Sequence, residues 1–210
     1  LIISGNVSHS SSSLDNREPF QKQNTLKKKT KKRRRPIQKL RQAFSRTTWA
    51  RTYGDLHYDY ANSIKQTSDG GYIVAGYAES FSPHYQDALI IKLSSDGEIQ
   101  WQFGYDGADT ASSVRQTIDG GYIVAGTTTA NDVTENDFWV LKLDSAGNIE
   151  WQRAYGGSYG DWASSIWQTA DGGYIVAGTT VSFSDGDDDI WVLKLSSSGD
   201  IEWQRTYGGY

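Results

Sequence analysis

The sequence predicts an all-β protein built of repeated four-stranded units, and three observations lead to this prediction. The octapeptide Asp-Gly-Gly-Tyr-Ile-Val-Ala-Gly occurs three times unchanged, beginning at Asp69, Asp119 and Asp171. Its copies lie 50 and 52 residues apart, a period that is typical of a repeat architecture. Each period contains four short segments rich in β-branched and aromatic residues, separated by glycine-containing turns. Four antiparallel strands per unit of this length predict the blade of a β-propeller.

The octapeptide itself predicts a tight turn followed by a strand. Asp-Gly-Gly lets the backbone reverse at positive φ without steric conflict. Tyr-Ile-Val supplies the aromatic and β-branched side chains that suit a pleated sheet. The closing Ala-Gly leaves the end of the strand without bulky side chains, as is needed where two backbones approach closely.

Three further strand signals recur around the octapeptide, so we place the units at about 59–107, 109–157 and 161–209. The first strand of each unit is predicted at Ser63–Thr67, Ser113–Thr117 and Ser165–Thr169. The third strand, which ends in Lys-Leu, is predicted at Leu89–Leu93, Trp139–Leu143 and Trp191–Leu195. The fourth, which contains Trp-Gln, is predicted at Ile99–Phe103, Ile149–Arg153 and Ile201–Arg205.

One copy of the fourth strand stands alone before the first unit, at residues 48–53. The repeat region therefore spans 47–210 and holds three complete blades, whereas a closed propeller has about four to eight. The Tyr-Gly-Gly that links units recurs at Tyr207, so we expect the natural protein to continue. We expect the three units alone to form an incomplete ring that is marginally stable or oligomeric, because a terminal blade leaves apolar side chains in water.

Residues 1–46 differ sharply from the repeats in charge. They carry 13 Lys and Arg against two acids, whereas residues 47–210 carry eight bases against 23 acids. Such asymmetry within a chain of net charge −4 predicts a tail joined to a domain. Because Ser8–Ser13 is serine-rich and Lys27–Arg35 is a self-repelling basic block, we predict that the tail is disordered.

The basic block Lys27–Arg35 has several functional interpretations. It resembles a nuclear-import signal, a nucleic-acid contact or a contact for an anionic membrane. It is equally typical of a solvated basic linker. No aromatic residue is interleaved with the lysines, which weakens the case for single-stranded nucleic acid.

The repeats resemble those of bacterial and archaeal secreted or cell-surface β-propeller proteins. The resemblance rests on Thr-x-Asp-Gly-Gly-Tyr-Ile-Val-Ala-Gly, then Asp-x-Trp-Val-Leu-Lys-Leu, then Gly-x-Ile-x-Trp-Gln-Arg-x-Tyr-Gly-Gly. It covers residues 47–210 and not the tail. The layout is also similar to WD-type propellers, but the Gly-His and Trp-Asp dipeptides of that family are missing. The resemblance implies fold and an extracellular location rather than an activity.

Most charged residues of the repeats recur in register, which favours structural roles. The aligned acids Asp59, Asp109 and Asp161, and again Asp87, Asp137 and Asp189, are predicted to accept backbone N–H bonds and set the spacing of the blades. All eight bases fall into three registers, so we predict that they pair with acids or cover aromatic rings. A catalytic group, by contrast, is needed once per site.

Catalytic chemistry is weakly indicated. The chain has no cysteine, and its three histidines form no metal-spacing pair. No Ser–His–acid triad can be assembled, and carboxylate pairs for a glycosidase cannot be placed from spacing alone. We therefore predict no catalytic residues and a non-enzymatic binding or structural module. The alternative is part of a propeller-type enzyme that acts on polysaccharide, with its site spread over further blades.

The candidate binding surface is the rim that carries the variable loops. If the strands pair in chain order, the loops from strand four to one and from strand two to three share this rim. It holds 14 of the 23 acids of the repeat region, which argues against nucleic acid there. Variable loops on a rigid scaffold usually carry recognition. Acids beside aromatic residues favour a carbohydrate or protein ligand, and the predicted binding residues are Tyr58, Tyr85, Tyr159, Trp162 and Phe183.

A weak calcium site is the one cofactor that the sequence suggests. Asp185, Asp187 and Asp189 alternate on one loop, as do carboxylates in the first half of an EF-hand loop. Ile190 stands where that pattern needs Gly, and no bidentate Glu follows. The alternative is a solvated acidic loop in which only Asp189 has a structural role.

The resemblance implies an extracellular or cell-surface location, although no signal peptide is visible. No apolar run approaches the roughly 20 residues that span a bilayer. If the basic tail is a targeting signal, an intracellular scaffold is the alternative.

Overall fold

The computed structural model describes residues 2–10, 44–54, 58–79, 86–105, 110–129, 135–184 and 186–209, with side chains from residue 48 onward. Its strands form three four-stranded antiparallel sheets that pack together, as the sequence predicts. The first sheet contains β3 (Asp59–Gln66), β4 (Tyr72–Ala78), β5 (Asp87–Leu93) and β6 (Ile99–Tyr105). The second contains β7 (Thr110–Gln116), β8 (Tyr122–Thr128), β9 (Asp137–Leu143) and β10 (Ile149–Tyr155). The third contains β11 (Asp161–Gln168), β12 (Tyr174–Thr180), β13 (Asp189–Leu195) and β14 (Ile201–Tyr207).

A two-stranded sheet precedes these three and includes part of the segment that the sequence assigns to the tail. β1 (Ile2–Ser10) pairs antiparallel with β2 (Phe44–Thr52), which includes the lone copy of the fourth strand. An unpaired strand edge presents a row of N–H and C=O groups, and β1 pairs with those along one edge of β2. Residues 11–43, with the basic block, lie outside the described residues, so their predicted disorder stays a prediction.

The strands of each four-stranded sheet pair in chain order, so the first and fourth strands are its edges. The first strands β3, β7 and β11 contact one another from sheet to sheet. Turns after the first and third strands lie at one end of the sheets, which we call the turn rim. The loops before the first strands and between the second and third strands lie at the other end, the loop rim. The part of the chain that the structure describes contains no helix able to cross a membrane.

Two glycines explain why the octapeptide is constant. Gly70 has φ +82°, a conformation that L side chains rarely adopt, and it closes the turn by donating its N–H to the carbonyl of Thr67 at 2.9 Å. Gly76 lies so close to β3 that a Cβ there would be 1.7 Å from the carbonyl oxygen of Tyr60. β3 has a register shift next to this contact, between Ala61 and Ser63. The predicted close approach of backbones is therefore confirmed.

The aligned acids begin strands instead of preceding them. Asp59 and Asp161 are the first residues of β3 and β11, four residues before the predicted serine. The extra residues pair with the end of the second strand, as Asp161 does with Thr180. The bulge after Ala163 allows this longer pairing, which alternation of residue types does not predict.

Apolar residues fill the space between consecutive sheets. At the first junction, Ile73 and Ile90 pack with Val124 and Leu141, and all four are fully buried. The second junction repeats this with Ile123, Ala125, Phe138 and Val140 against Ile166, Val176, Trp191 and Leu193. The outer face of the third sheet is uncovered, since Ile190 is 57% exposed. Its equivalents in the first two sheets, Ala88 and Phe138, are fully buried.

In each four-stranded sheet, a buried lysine joins the turn before the second strand to the fourth strand. Lys142 donates to Asp119 Oδ2, Glu150 Oε2 and the carbonyl of Leu143, each at 3.0 Å. Lys92 and Lys194 do the same in the other sheets, with Gln100 replacing the glutamate beside Lys92. The predicted pairing of this basic register with acids is therefore confirmed.

These ammonium groups lower the pKa of the turn aspartates. Burial alone would raise the pKa of Asp119, but hydrogen bonds from Thr117, Gly121 and Lys142 outweigh burial and lower it to about 2. The same balance, with Lys92 and Thr67 as donors, lowers the pKa of Asp69 to about 2. The turns therefore depend on ionised carboxylates.

A tyrosine at the end of each fourth strand ties one sheet to the next. The hydroxyl of Tyr53 donates to the carbonyl of Gly97 at 2.7 Å, and that of Tyr155 donates to Gly199 at 2.5 Å. Tyr105 makes the same bond to Gly147 at 2.9 Å. Tyr207 occupies this register in the third sheet but is 50% exposed.

We predict that Tyr155→Phe lowers the free energy of unfolding by about 1 kcal/mol, because the buried carbonyl of Gly199 loses its donor. Tyr207→Phe is the matched control and should change stability little, since its ring is half exposed. Urea denaturation measures both. Equal losses in the two variants would contradict a specific role for the tie between sheets.

Acid should weaken the turns. A folded-state pKa near 2 stabilises the protein above the ordinary aspartate pKa of 3.8, and this contribution is lost as pH falls from about 4 to 2. Asp119→Asn should therefore lower stability at pH 6 and reduce the slope of stability against pH in that window. Urea midpoints measured between pH 2 and 6 test this. An unchanged slope in the variant would contradict it.

Candidate functional site

Three tyrosines form a column at the loop rim of the first sheet. Tyr60 on β3 and Tyr77 on β4 are direct cross-strand partners, and their rings stack with centroids 4.7 Å apart and an interplanar angle of 22°. Tyr58 extends the column, 6.4 Å from Tyr60 at 27°. The exposed fractions of Tyr58 and Tyr60 are 66% and 48%. The column thus offers flat, partly apolar rings with polar tips to solvent.

An acid lies beside this column. The N–H of Glu79 donates to the carbonyl of Tyr58 at 3.1 Å, which fixes Tyr58 against the end of β4. Burial, then the neighbouring Tyr60, then the charge of Glu79 raise the pKa of Tyr77. Glu79 directly follows β4, so a carboxylate that can accept hydrogen bonds lies at the same end of the sheet as the ring faces.

Sequence reasoning found Tyr58 and placed Glu79 among the acids of the variable-loop rim, but it missed Tyr60 and Tyr77. A signal was available, because the residues of the column do not recur. Positions equivalent to Tyr60 hold Thr110 and Trp162, and those equivalent to Tyr77 hold Thr127 and Thr179. Comparing the units position by position, and keeping what differs, would have identified the column.

The other predicted binding residues lie at the loop rim of the third sheet. Tyr159 is 61% exposed, and its backbone N–H and C=O both bond the hydroxyl of Ser182. Phe183 packs on Trp191 with centroids 4.8 Å apart, so much of its ring covers the core. Trp162, 38% exposed, lies over Gly160, where a Cβ would be 2.3 Å from its ring. Tyr85 lies outside the described residues.

Two carboxylates meet where the second and third sheets join. A Cβ on Gly156 would be 1.8 Å from Asp137 Oδ1 and 2.8 Å from Asp161 Oδ2, so both carboxylates lie beside this glycine. Asp161 is fully buried and accepts the N–H of Gly157 at 3.0 Å. Its other oxygen has no hydrogen-bond partner. Burial and the charge of Asp161 raise the pKa of Asp137.

Each half of the carboxylate pair recurs beside an equivalent glycine. Asp59 lies in the same way against Gly54, and Asp189 against Gly208. The aligned acids thus sit at the links between sheets, and Asp161 accepts a backbone N–H as the sequence predicts. Asp137 and Asp161 repel each other at this link between the sheets.

The predicted calcium loop is described only in part. Asp189 begins β13 and lies against Gly208, which gives it a structural contact. Asp185 lies outside the described residues, so convergence of Asp185, Asp187 and Asp189 stays a prediction. In the described part of the chain, no three acidic or histidine side chains are grouped as a metal site would require.

A comparison with protein-family models found no match, and a comparison with curated proteins found no significant similarity. Support for the repeated four-stranded sheets therefore comes from the structure and from no related protein. No family is shown for this chain, and its resemblance to cell-surface propeller proteins stays an expectation from the sequence.

We predict that Asp137→Asn stabilises the protein at pH 7, because a neutral amide is buried at lower cost and is not repelled by Asp161. A raised folded-state pKa contributes stability below the ordinary pKa that is lost as pH rises through the folded value. The neutral amide removes this loss, so the advantage should vanish below about pH 4. Urea midpoints at pH 3 and pH 7 test this, and a variant less stable than wild type at pH 7 would contradict it.

Proposed function

We propose that residues 47–210 are a non-enzymatic binding module of an extracellular or cell-surface propeller protein, and that its ligand is carbohydrate. The observation that carries the proposal is the tyrosine column formed by Tyr58, Tyr60 and Tyr77. The apolar face of a sugar ring packs on an exposed aromatic face, and its hydroxyl groups donate to a nearby carboxylate. Tyr58 is the outermost and most exposed ring of the column, and Glu79 supplies the acceptor.

The architecture supports this assignment. The column stands at the ends of β3 and β4, two strands held by a full ladder of cross-strand pairs. Rings fixed in this way lose little conformational freedom on binding, which favours affinity. The residues of the column also occur in one unit only, as is expected of a specific site on a repeated scaffold.

The alternative, part of a polysaccharide-active enzyme, would need two carboxylates that reach a sugar. The pair that the structure brings together, Asp137 and Asp161, does not suit this role. Asp161 is fully buried, and the acids recur in register at the links between sheets. Other acids of the loop rim, such as Asp106 and Asp132, lie outside the described residues.

A direct test measures binding of soluble neutral polysaccharides of glucose, mannose and galactose by isothermal titration. We expect one of them to bind, and Tyr58→Ala and Tyr60→Ala to weaken binding at least tenfold by removing the stacking surface. Tyr159→Ala is the control, because this tyrosine has a similar exposure at the rim of the third sheet and lies outside the column.

Thermal unfolding of each variant shows whether the fold is kept. If Tyr159→Ala weakens binding as much as Tyr58→Ala does, the site includes the third sheet and the tyrosine column is not the specific site. Lack of binding by all three polysaccharides at millimolar sugar would contradict the proposal.

A further inference from the structure

A groove lies at the turn rim, between the first-strand edges of the second and third sheets. Its walls include Arg115 and Ile118 of the second sheet and Trp167 of the third. Two glutamines fix the groove across the sheets. Gln116 Oε1 accepts the N–H of Ser68 at 2.8 Å, and Gln168 Oε1 accepts the N–H of Ile118 at 2.9 Å. The groove is therefore held by the packing of all three sheets.

Arg115 is a cation without an acid partner among the described residues. Its guanidinium lies 4.3 Å from the centroid of the Trp167 ring, and its Nε is buried without a hydrogen-bond partner. The nearest turn acid on its own sheet, Asp119, is already paired with Lys142. Stacking on an aromatic face holds the guanidinium in place but gives its Nε no acceptor.

The apolar residues of the groove break the repeat. Trp167 stands where the other units have Lys65 and Arg115. Ile118 stands where they have Ser68 and Ala170, and it is 93% exposed although it is a large apolar residue. Trp167 is 55% exposed. Two residues that the repeat does not require thus meet beside an unpaired guanidinium.

We propose that this groove binds an acidic peptide segment, with a carboxylate on Arg115 and an apolar side chain between Trp167 and Ile118. Guanidinium and carboxylate form two parallel charge-assisted hydrogen bonds, the strongest match available to this side chain. Exposed aromatic and aliphatic side chains beside an arginine are typical of the centre of a protein interface.

Two features favour a peptide over other anions. The amide nitrogens of Gln116 and Gln168 make only long bonds of 3.4 Å to glycine carbonyls, so they can donate to a peptide backbone. Lys65 occupies the register of Arg115 on β3, and it also has no acid partner in the described part of the chain. A bound peptide that extends from the groove towards the first sheet would therefore meet a second cation. A nucleic acid carries a negative charge on every phosphate, so the net charge of −15 over residues 47–210 repels it more than a peptide with one or two carboxylates.

The test titrates the chain with the blocked peptide acetyl-Leu-Glu-Phe-Glu-Leu-amide and follows the heat of binding. We expect binding that weakens as salt is raised. We expect a loss of about tenfold or more in Arg115→Gln, since charge-assisted hydrogen bonds are removed. Ile118→Ser, which restores the residue of the first unit at an exposed site, should weaken binding severalfold without affecting the fold. The same peptide with Gln replacing Glu should not bind.

Arg205→Gln is the matched control. Arg205 also lacks an acid partner among the described residues and lies over a tryptophan, Trp203, at 5.9 Å, but it is on β14 and outside the groove. Equal losses in Arg115→Gln and Arg205→Gln would overturn the proposal, as would lack of binding or full binding of the Gln peptide. Phenylacetate that binds as tightly as the peptide would overturn the peptide assignment. The groove is on the turn rim and the tyrosine column on the loop rim, so either proposal can fail alone.

Discussion

Each sheet of this protein depends on one lysine ammonium group that is held out of water among oxygen acceptors. The lysine comes from the third strand, and its acceptors come from the turn before the second strand, the fourth strand and its own backbone, as Lys142 shows with Asp119, Glu150 and Leu143. A buried charge that loses one partner destabilises a protein by about 3–5 kcal/mol, whereas an exposed pair contributes little. The turn rim is therefore rigid, because a change in its turns would leave the lysine ammonium group buried without an acceptor.

This constraint explains why the turns are constant while the loop rim varies. The aspartate of the octapeptide must bind its own turn and the lysine at once, which Asp119 does through Oδ1 to Gly121 and Oδ2 to Lys142. Among the residues that the structure describes at the opposite rim, the repeated anchors are the acids at the links between sheets. Residues there can change from unit to unit, as the positions of Tyr60 and Tyr77 do, without disturbing the ladder.

Much of the fold could be predicted because it repeats. Turn glycines and Lys-Leu at the end of the third strand appear three times, and the aligned tryptophans four times, so the four-stranded units follow from local patterns. β1 could not be predicted, since Ile2–Ser10 matches no strand of the repeat and depends on the free edge of β2. The early start of the first strands also escaped prediction, because the bulge shifts the alternation of side chains.

The candidate sites could be predicted only in part, because they are contacts between distant residues. Arg115 and Trp167 are separated by 52 positions and meet only when the sheets pack edge to edge. Asp137 and Asp161 come from different sheets and meet at Gly156. Residue type and spacing within a unit carry no information about such pairs.

Departures from the repeat separate what folds the chain from what the chain can recognise. A side chain present in every unit has a structural explanation, as the lysines, tyrosine ties and link acids do. A large exposed side chain present in one unit has none, because the same position folds with a small residue elsewhere. Tyr58, which aligns with Gly160, and Ile118, which aligns with Ser68, both meet this description. Since exposed apolar area gains nothing from folding, its retention at two opposite rims argues for two separate recognition surfaces on one scaffold.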